Sequence, residues 1–450
     1  MPQEQLEQIA NDLVERAVRG GASAADAVVS EADEFSVTVR MRHIESLKEA
    51  ASKALGLRVF IGQRSASSYS SDFSKPALDR LVERTLVMAK ITSEDPQSGL
   101  PEARELGHYD GDLQLYFGDV AALSTTERLD LARRAEEAAL SFNPRIQNSE
   151  GATFDSTTGA KAYANSHGFS GSYRFSTCAL SVVPVAVNGG GMQRDYWYSV
   201  ARQAGTLDPP EAIGRKAAAR AIAKLGARKI GTCRVPVIFD AETARTLVGH
   251  VFEAVRGDSV YRSASFLAGK LDEQVAGENV TVLDDGLRLS GFGSRPFDDE
   301  GVPASSTAVI ENGLLRNYLL NTYAARKLHL RTTGNASRGV AGPPAVGPKN
   351  FYLAPGKHLL AEMIRSVKQG LLVTELIGFG VNIVTGDYSR GAAGMWIENG
   401  ELAYPVEEIT IAGTLPEMLR HITEIGSELE FRGSIAAPPI RVEGLTVAGL

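Results

Sequence analysis

Two Asn-Gly dipeptides restrict the folds open to this chain more than any other feature. Asn312-Gly313 in "STAVIENGLLRNYLL" and Asn399-Gly400 in "GMWIENGELAYPV" each stand between strand-like runs. Asn-Gly is the preferred pair for a type I′ turn, which joins two antiparallel strands without splaying them. The strand-like "RVPVIFD" leads into a helix, and "RGVAGPPAVGPKN" is a Gly/Pro loop that breaks regular structure. Residues 228–450 therefore read as one β-rich domain of largely antiparallel strands with few helices.

The first half reads differently. Leu6, Ile9, Leu13, Ala17 and Val18 recur at helical spacing until Gly20-Gly21 stops the helix. Alternating strands follow in "FSVTVRM" and "LGLRVFIG", then a helix starts near Ser74. Residues 93–113 form an acidic linker containing Pro96 and Pro101. A second unit opens with the capping box Ser124–Glu127. Its strands are expected in "GATFDST", "GAKAYANSHGFSGSYRFST" and "CALSVVPVAV", and its last helix has Asp208 as N-cap, Pro209 first and Gly226 as the stop. The fold class is thus α+β: two helix–β-meander–helix units (1–100 and 101–227) before the β-rich domain (228–450).

Several functions are disfavoured by composition. A net charge of −7 without any basic run reads against a nucleic-acid surface. Two cysteines, Cys178 and Cys233, are too few for a disulfide framework or a multi-cysteine metal site and read as small apolar residues. No run of 18 apolar residues suggests a membrane span. The N-terminal "MPQEQLEQIANDLVERAVRGG" does not look like a secretory leader, so a cytoplasmic setting is expected.

The best candidate for chemistry is "GHVFEAVRGDS". Ala244, Leu247, Val248, Val251 and Val255 form the apolar stripe of its helix, which leaves His250 and Glu253 on the polar side. Such an i, i+3 pair could give two metal ligands or a solvated hydrogen-bonded pair. Asp298, Asp299 and Glu300 could add a hard-cation or amine site, or else cap a turn and face water. Ser166 and His167 are adjacent in a strand and point to opposite faces, so they are no nucleophile–base pair. "NGGGM" (188–192) leads into aromatic "DYWYS" and reads as a hairpin or loop, not a phosphate cradle. His43, His108, His329, His358 and His421 lack recognisable partners and read as structural or surface residues.

Segments in the C-terminal half resemble the TldD/PmbA family, in particular its PmbA (TldE) branch. They are "GDSVYRSASFLAGKLDEQV", "TVLDDG", "GSRPFDDEGVP", "IENGLLRNYLLNTYAARKL", "TTGNAS", "KNFYLAPG" and "GVNIVTGDYSRGAAGMWIENGELAYPVEEITIAG". The resemblance implies a cytoplasmic metalloprotease of two related subunits that clips unfolded peptides. In the TldD-type subunit an H-E-x-x-x-H helix and a C-terminal cysteine resemble a zinc site. Anchored on Gly257-Asp258, those helix positions fall on Val248, Gly249 and Glu253, and His250 falls on none of them. No cysteine follows Cys233. The resemblance thus implies a chain that binds no cofactor itself, with zinc in a TldD-type heterodimer partner. Extended peptides are the expected substrates, with Thr333, Gly334, Asn335 and Arg338 of "TTGNASRG" as candidate contacts. Two other expectations stand beside this one. The chain could be a self-sufficient peptidase using His250, Glu253 and the Asp298–Glu300 cluster, or a homodimeric peptide-binding protein without proteolysis.

Overall fold

The computed structural model describes residues 2–189 and 191–449. The first unit runs α1 (Gln3–Arg19), β1 (Ala24–Arg40), β2 (His43–Ile61), β3 (Arg64–Ser70) and α2 (Lys75–Ile91). The second runs α3 (Gly118–Ala122), α4 (Thr125–Leu140), β4 (Ile146–Asn165), β5 (Ser170–Asn188), β6 (Gly191–Arg194), β7 (Trp197–Ala201) and α5 (Pro210–Ala223). Their strands join in one seven-stranded sheet, ordered β3-β2-β1-β4-β5-β6, with β7 also on β5. The seam is the antiparallel β1–β4 pair, in register from Asp26↔Asn165 to Val39↔Ala152.

Alternation along the strands explains how the helices lie on this sheet. Ala27, Val29, Leu55, Leu57 and Ala162 share one face and one end, and α1 and α2 cover them. At the other end of the same face, α4 and α5 cover Phe35, Val37, Phe154, Leu180 and Val182. The capping box holds: Ser124 Oγ accepts from Glu127 N, and the Glu127 carboxylate accepts from Ser124 N. α5, however, begins one residue later than expected, with Pro209 rather than Asp208 at its cap.

Two strand expectations need correction. "GATFDST" and the start of the next segment belong to a single strand, β4, because Thr157 to Gly159 continue the ladder with β5 without a break. Ser166 and His167 lie in the turn between β4 and β5, not in a strand. There Ser166 Oγ accepts from Ala25 N, and His167 Nδ1 meets the Pro101 carbonyl at 2.7 Å. The "NGGGM" stretch closes the β5–β6 hairpin, with Asn188 paired to Gly191; Gly190 lies outside the described residues. β3 pairs only with Leu55 to Ile61 of β2. From His43 to Ala54, β2 therefore has β1 on one side and, among the described residues, no strand on the other.

The C-terminal domain follows as β8 (Cys233–Phe239), α6 (Ala241–Val255), α7 (Gly257–Tyr261), β9 (Val282–Asp285), β10 (Ser306–Glu311), β11 (Leu314–Leu315) and α8 (Thr322–Leu328). It continues with β12 (Ala336–Ser337), β13 (Ala345–Val346), β14 (Phe351–Leu353), α9 (Leu360–Arg365), β15 (Gln369–Ile377), β16 (Asp387–Glu398) and β17 (Glu401–Thr414). Last come α10 (Leu415–Arg420), β18 (Ile422–Ile425), β19 (Ile435–Ala436) and β20 (Ile440–Ala448). A six-stranded sheet β17-β16-β15-β8-β20-β18 and a five-stranded sheet β11-β10-β9-β14-β19 enclose α6. Both Asn-Gly turns adopt the expected geometry: φ is 49° and 80° at Asn312-Gly313, and 52° and 82° at Asn399-Gly400. The segment expected as a linker is docked onto this domain. Arg326 donates to the Leu100 carbonyl at 2.6 Å, and Tyr109 N donates to the Pro296 carbonyl at 2.8 Å.

Candidate functional site

Helix α6 starts where the Asp240 carboxylate accepts from Thr243 N at 2.9 Å, so β8 passes into the helix with a satisfied cap. The apolar stripe is buried as expected, from Ala244 through Leu247, Val248 and Val251 to Val255. Burying a valine such as Val248 contributes on the order of 1.5–3 kcal/mol. Gly249 has no side chain to offer, and a Cβ there would lie 4.0 Å from Ile435 Cδ1. β19, in the stretch "EFRGSIAAPPIRV" (430–442) where the resemblance would place the C-terminal cysteine, is thus packed on α6 and brings Ile435. Glu253 is held by Arg256, whose Nη1 donates to it at 2.8 Å while Nε and Nη2 donate to Asp258.

This donor set does not fit a zinc ion. Val248 has no lone pair, Gly249 no side chain, and the Glu253 carboxylate is already neutralised by a guanidinium. Among the described residues no three His, Cys, Asp or Glu side chains come together as a metal-holding group.

His250 does not sit on a solvated polar face. It is half-buried against Tyr388, with ring centroids 6.2 Å apart, because β16 passes beside that side of α6. Burial, and then the charge of Arg390, push its pKa down to about 4. His250 and Glu253 therefore take separate partners. The Asp298–Glu300 cluster does not face water either. All three residues are at most 2% exposed. Asp298 accepts from the backbone of Glu300, Val302 and Ala336, so it caps a turn, but inside the protein. Asp299 pairs with Lys161 at 2.6 Å, and Glu300 accepts from Thr322 N.

The "TTGNASRG" loop is likewise internal. Asn335 is fully buried and donates to Asp284 at 2.6 Å and to the Gly347 carbonyl. Thr333 hydrogen-bonds Asn335 and Leu320, and Gly334 takes φ +68° against the Pro303 carbonyl. Arg338 reaches across to β1, where its Nη1 lies 2.8 Å from Asp26. Arg338 alone of the four ties the loop to the N-terminal sheet, and Gly334, Asn335 and Arg338 are buried and not presented on an open surface.

Asp26 is the centre of that junction, and the sequence reading passed over it. It is fully buried between Arg58 (Nε at 3.0 Å) and Arg338, with Tyr163 Oη at 3.3 Å. Burial alone would raise its pKa, but the Arg338 and Arg58 charges outweigh burial and hold it below the usual value. The signal was an aspartate inside the apolar run "AADAVV". Beside the junction opens a cleft of about 410 Å³, lined by Arg58, Asp95, Asp258, Tyr261, Glu300 and Tyr323 among others.

Comparison with known proteins agrees in fold and sequence. Residues 25–89 match PmbA/TldA metallopeptidase domain 1, residues 118–225 its central domain, and residues 232–449 its C-terminal domain. The chain is 38% identical to Metalloprotease PmbA of Escherichia coli O157:H7, covering 99% of this chain and 96% of that protein. It is 37% identical to the Metalloprotease PmbA homolog of Haemophilus influenzae, over 99% and 97%. A putative modulator of DNA gyrase from Bacteroides thetaiotaomicron superimposes with a TM-score of 0.92 at 25% identity, covering 100% of both chains. TldE from Thermococcus kodakarensis shares the fold at a TM-score of 0.87 and 22% identity, over 98% and 99%.

Proposed function

The chain belongs to the PmbA/TldD metallopeptidase family, and from that premise we propose that it is the subunit without the metal in a two-subunit peptidase. Its partner would be a TldD-type chain that carries the zinc, and the pair would cleave unfolded peptides in the cytoplasm. The observation that carries this reading is the face of α6. Val248 is packed into the core, Gly249 offers no donor, Glu253 is tied to Arg256, and the neighbouring β19 brings an isoleucine. Without a ligand set, the chain has no means of activating a water for hydrolysis.

Substrate handling would then rest on shape. The loop of Thr333, Gly334, Asn335 and Arg338 is internal, so peptide contact is better assigned to strand addition at an open sheet edge. The edge of β2 from His43 to Ala54, unpaired among the described residues, has the length for that role. Metal analysis of the chain purified alone, followed by size exclusion with a TldD-type partner, tests the reading. Substoichiometric zinc and a 1:1 complex are expected. Stoichiometric zinc that is lost on His250→Ala would overturn it in favour of a self-sufficient enzyme. A homodimer that ignores the partner would overturn it in favour of a peptide-binding protein.

A further inference from the structure

Three polar side chains converge beside residues 377–386, each with a buried polar atom that has no hydrogen-bond partner among the described residues. His250 of α6 sets its ring edge-on to Tyr388 of β16, at an interplanar angle of 72°. Arg390 lies two residues further along the same strand, so its side chain leaves the sheet on the same side as Tyr388. Its charge acts on both of the other groups. His250 Nε2, Tyr388 Oη and Arg390 Nε are each shielded from solvent, and each lacks a hydrogen-bond partner among the described residues. Tyr388 is only 1% exposed. Buried polar groups are nearly always satisfied, so three orphans in one place point to an absent acceptor.

The chemistry of the three groups narrows what that acceptor is. Arg390 Nε and Tyr388 Oη are donors, and a neutral imidazole offers an N–H or a lone pair according to its tautomer. Burial and Arg390 keep His250 neutral near pH 7, so the trio carries a single positive charge. A monoanion with two acceptor oxygens matches that count, whereas a phosphate dianion would leave surplus negative charge in a half-buried place. The surroundings are apolar. Val381 bridges to Tyr388; on the same loop Phe379 is 100% exposed and Val384 52%, and Ile377 at the end of β15 is 54% exposed.

We propose that His250, Tyr388 and Arg390 form a carboxylate-binding site for a peptide, taking either its C-terminal group or an Asp or Glu side chain next to apolar residues. The site does not depend on which subunit cleaves, so it can stand or fall apart from the subunit reading.

The test uses the full chain labelled with 15N-histidine, with the His250 ring resonance assigned by its loss in His250→Gln. Three probes separate the possibilities: N-acetyl-phenylalanine, its neutral amide, and N-acetyl-aspartate α-amide, which keeps only the side-chain carboxylate. At least one acid should shift the His250 resonance saturably, and the neutral amide should bind at least about tenfold more weakly. Tyr388→Phe and Arg390→Gln should each weaken the acid by about tenfold or more, as for a lost hydrogen bond to a charged group. Whichever acid binds tighter identifies the source of the carboxylate. Should Arg390→Gln fail to fold, Tyr388→Phe and the acid-against-amide comparison still decide. If the amide binds as well as the acids, if inorganic phosphate competes equally, or if no probe moves His250, the trio is not a carboxylate site and the proposal falls.

Discussion

Removing the Asp26 carboxylate should loosen the junction between the N-terminal sheet and the C-terminal domain. In Asp26→Ala two buried guanidiniums lose their shared counter-charge. Arg58 keeps Glu300 at 3.8 Å, but among the described residues Arg338 keeps no carboxylate for its guanidinium, and its Nε and Nη2 already lack partners there. Breaking one side of a buried ion pair costs about 3–5 kcal/mol, because the remaining charge stays desolvated. For a unit of this size that corresponds to a fall in Tm of about 6–20 °C. The assay is thermal unfolding of the purified chain, paired with limited proteolysis across residues 93–113, which bridge the two halves. Asp26→Ala/Arg338→Met should recover part of the loss, since the orphaned charge leaves with its partner. The sign with pH follows from the depressed folded pKa. Asp26 contributes fully above its unfolded value of about 4 and loses that contribution as pH falls through the lower folded value. Single variants within about 0.5 kcal/mol of the parent, or a double variant as unstable as the sum of the singles, would refute the account.

Other consequences are simpler to check. His250 resists protonation in the fold, so it costs stability as pH falls from its unfolded value near 6.5 toward about 4; in carboxylate-free buffer His250→Gln should flatten that part of the stability–pH curve. Gly313→Ala should destabilise by about 1–3 kcal/mol in a denaturant titration, because φ is +80° and the new Cβ would meet the Ala276 carbonyl at 2.4 Å. A thiol reagent should label Cys233 in the native chain and reach Cys178 only on unfolding, since burial and then Asp119 push the Cys178 thiol up to about 12. Two equally fast thiols would contradict that burial.

What the sequence revealed was what local chemistry decides. The Asn-Gly turns, the Ser124 capping box and the apolar stripe of α6 each depend on residues within a few positions of one another, and each is present in the fold. What it hid depends on partners far away. The continuity of β4 through Thr157 to Gly159 left no trace, because small polar residues carry no alternating pattern. The surroundings of His250 are set by Tyr388 and Arg390, some 140 residues downstream. Likewise Asp298, Asp299 and Glu300 look solvated in sequence; they are buried because Lys161, Arg58 and the backbone of Thr322 meet them there.

The central claim is that this chain completes a peptidase whose metal sits on another subunit. Its most direct test is cleavage of an unstructured peptide by this chain alone with zinc, by a TldD-type chain alone, and by the two mixed in equal amounts. The account predicts no cleavage by this chain and the fastest cleavage by the mixture. Zinc-dependent cleavage by this chain alone, lost in Glu253→Ala, would contradict it.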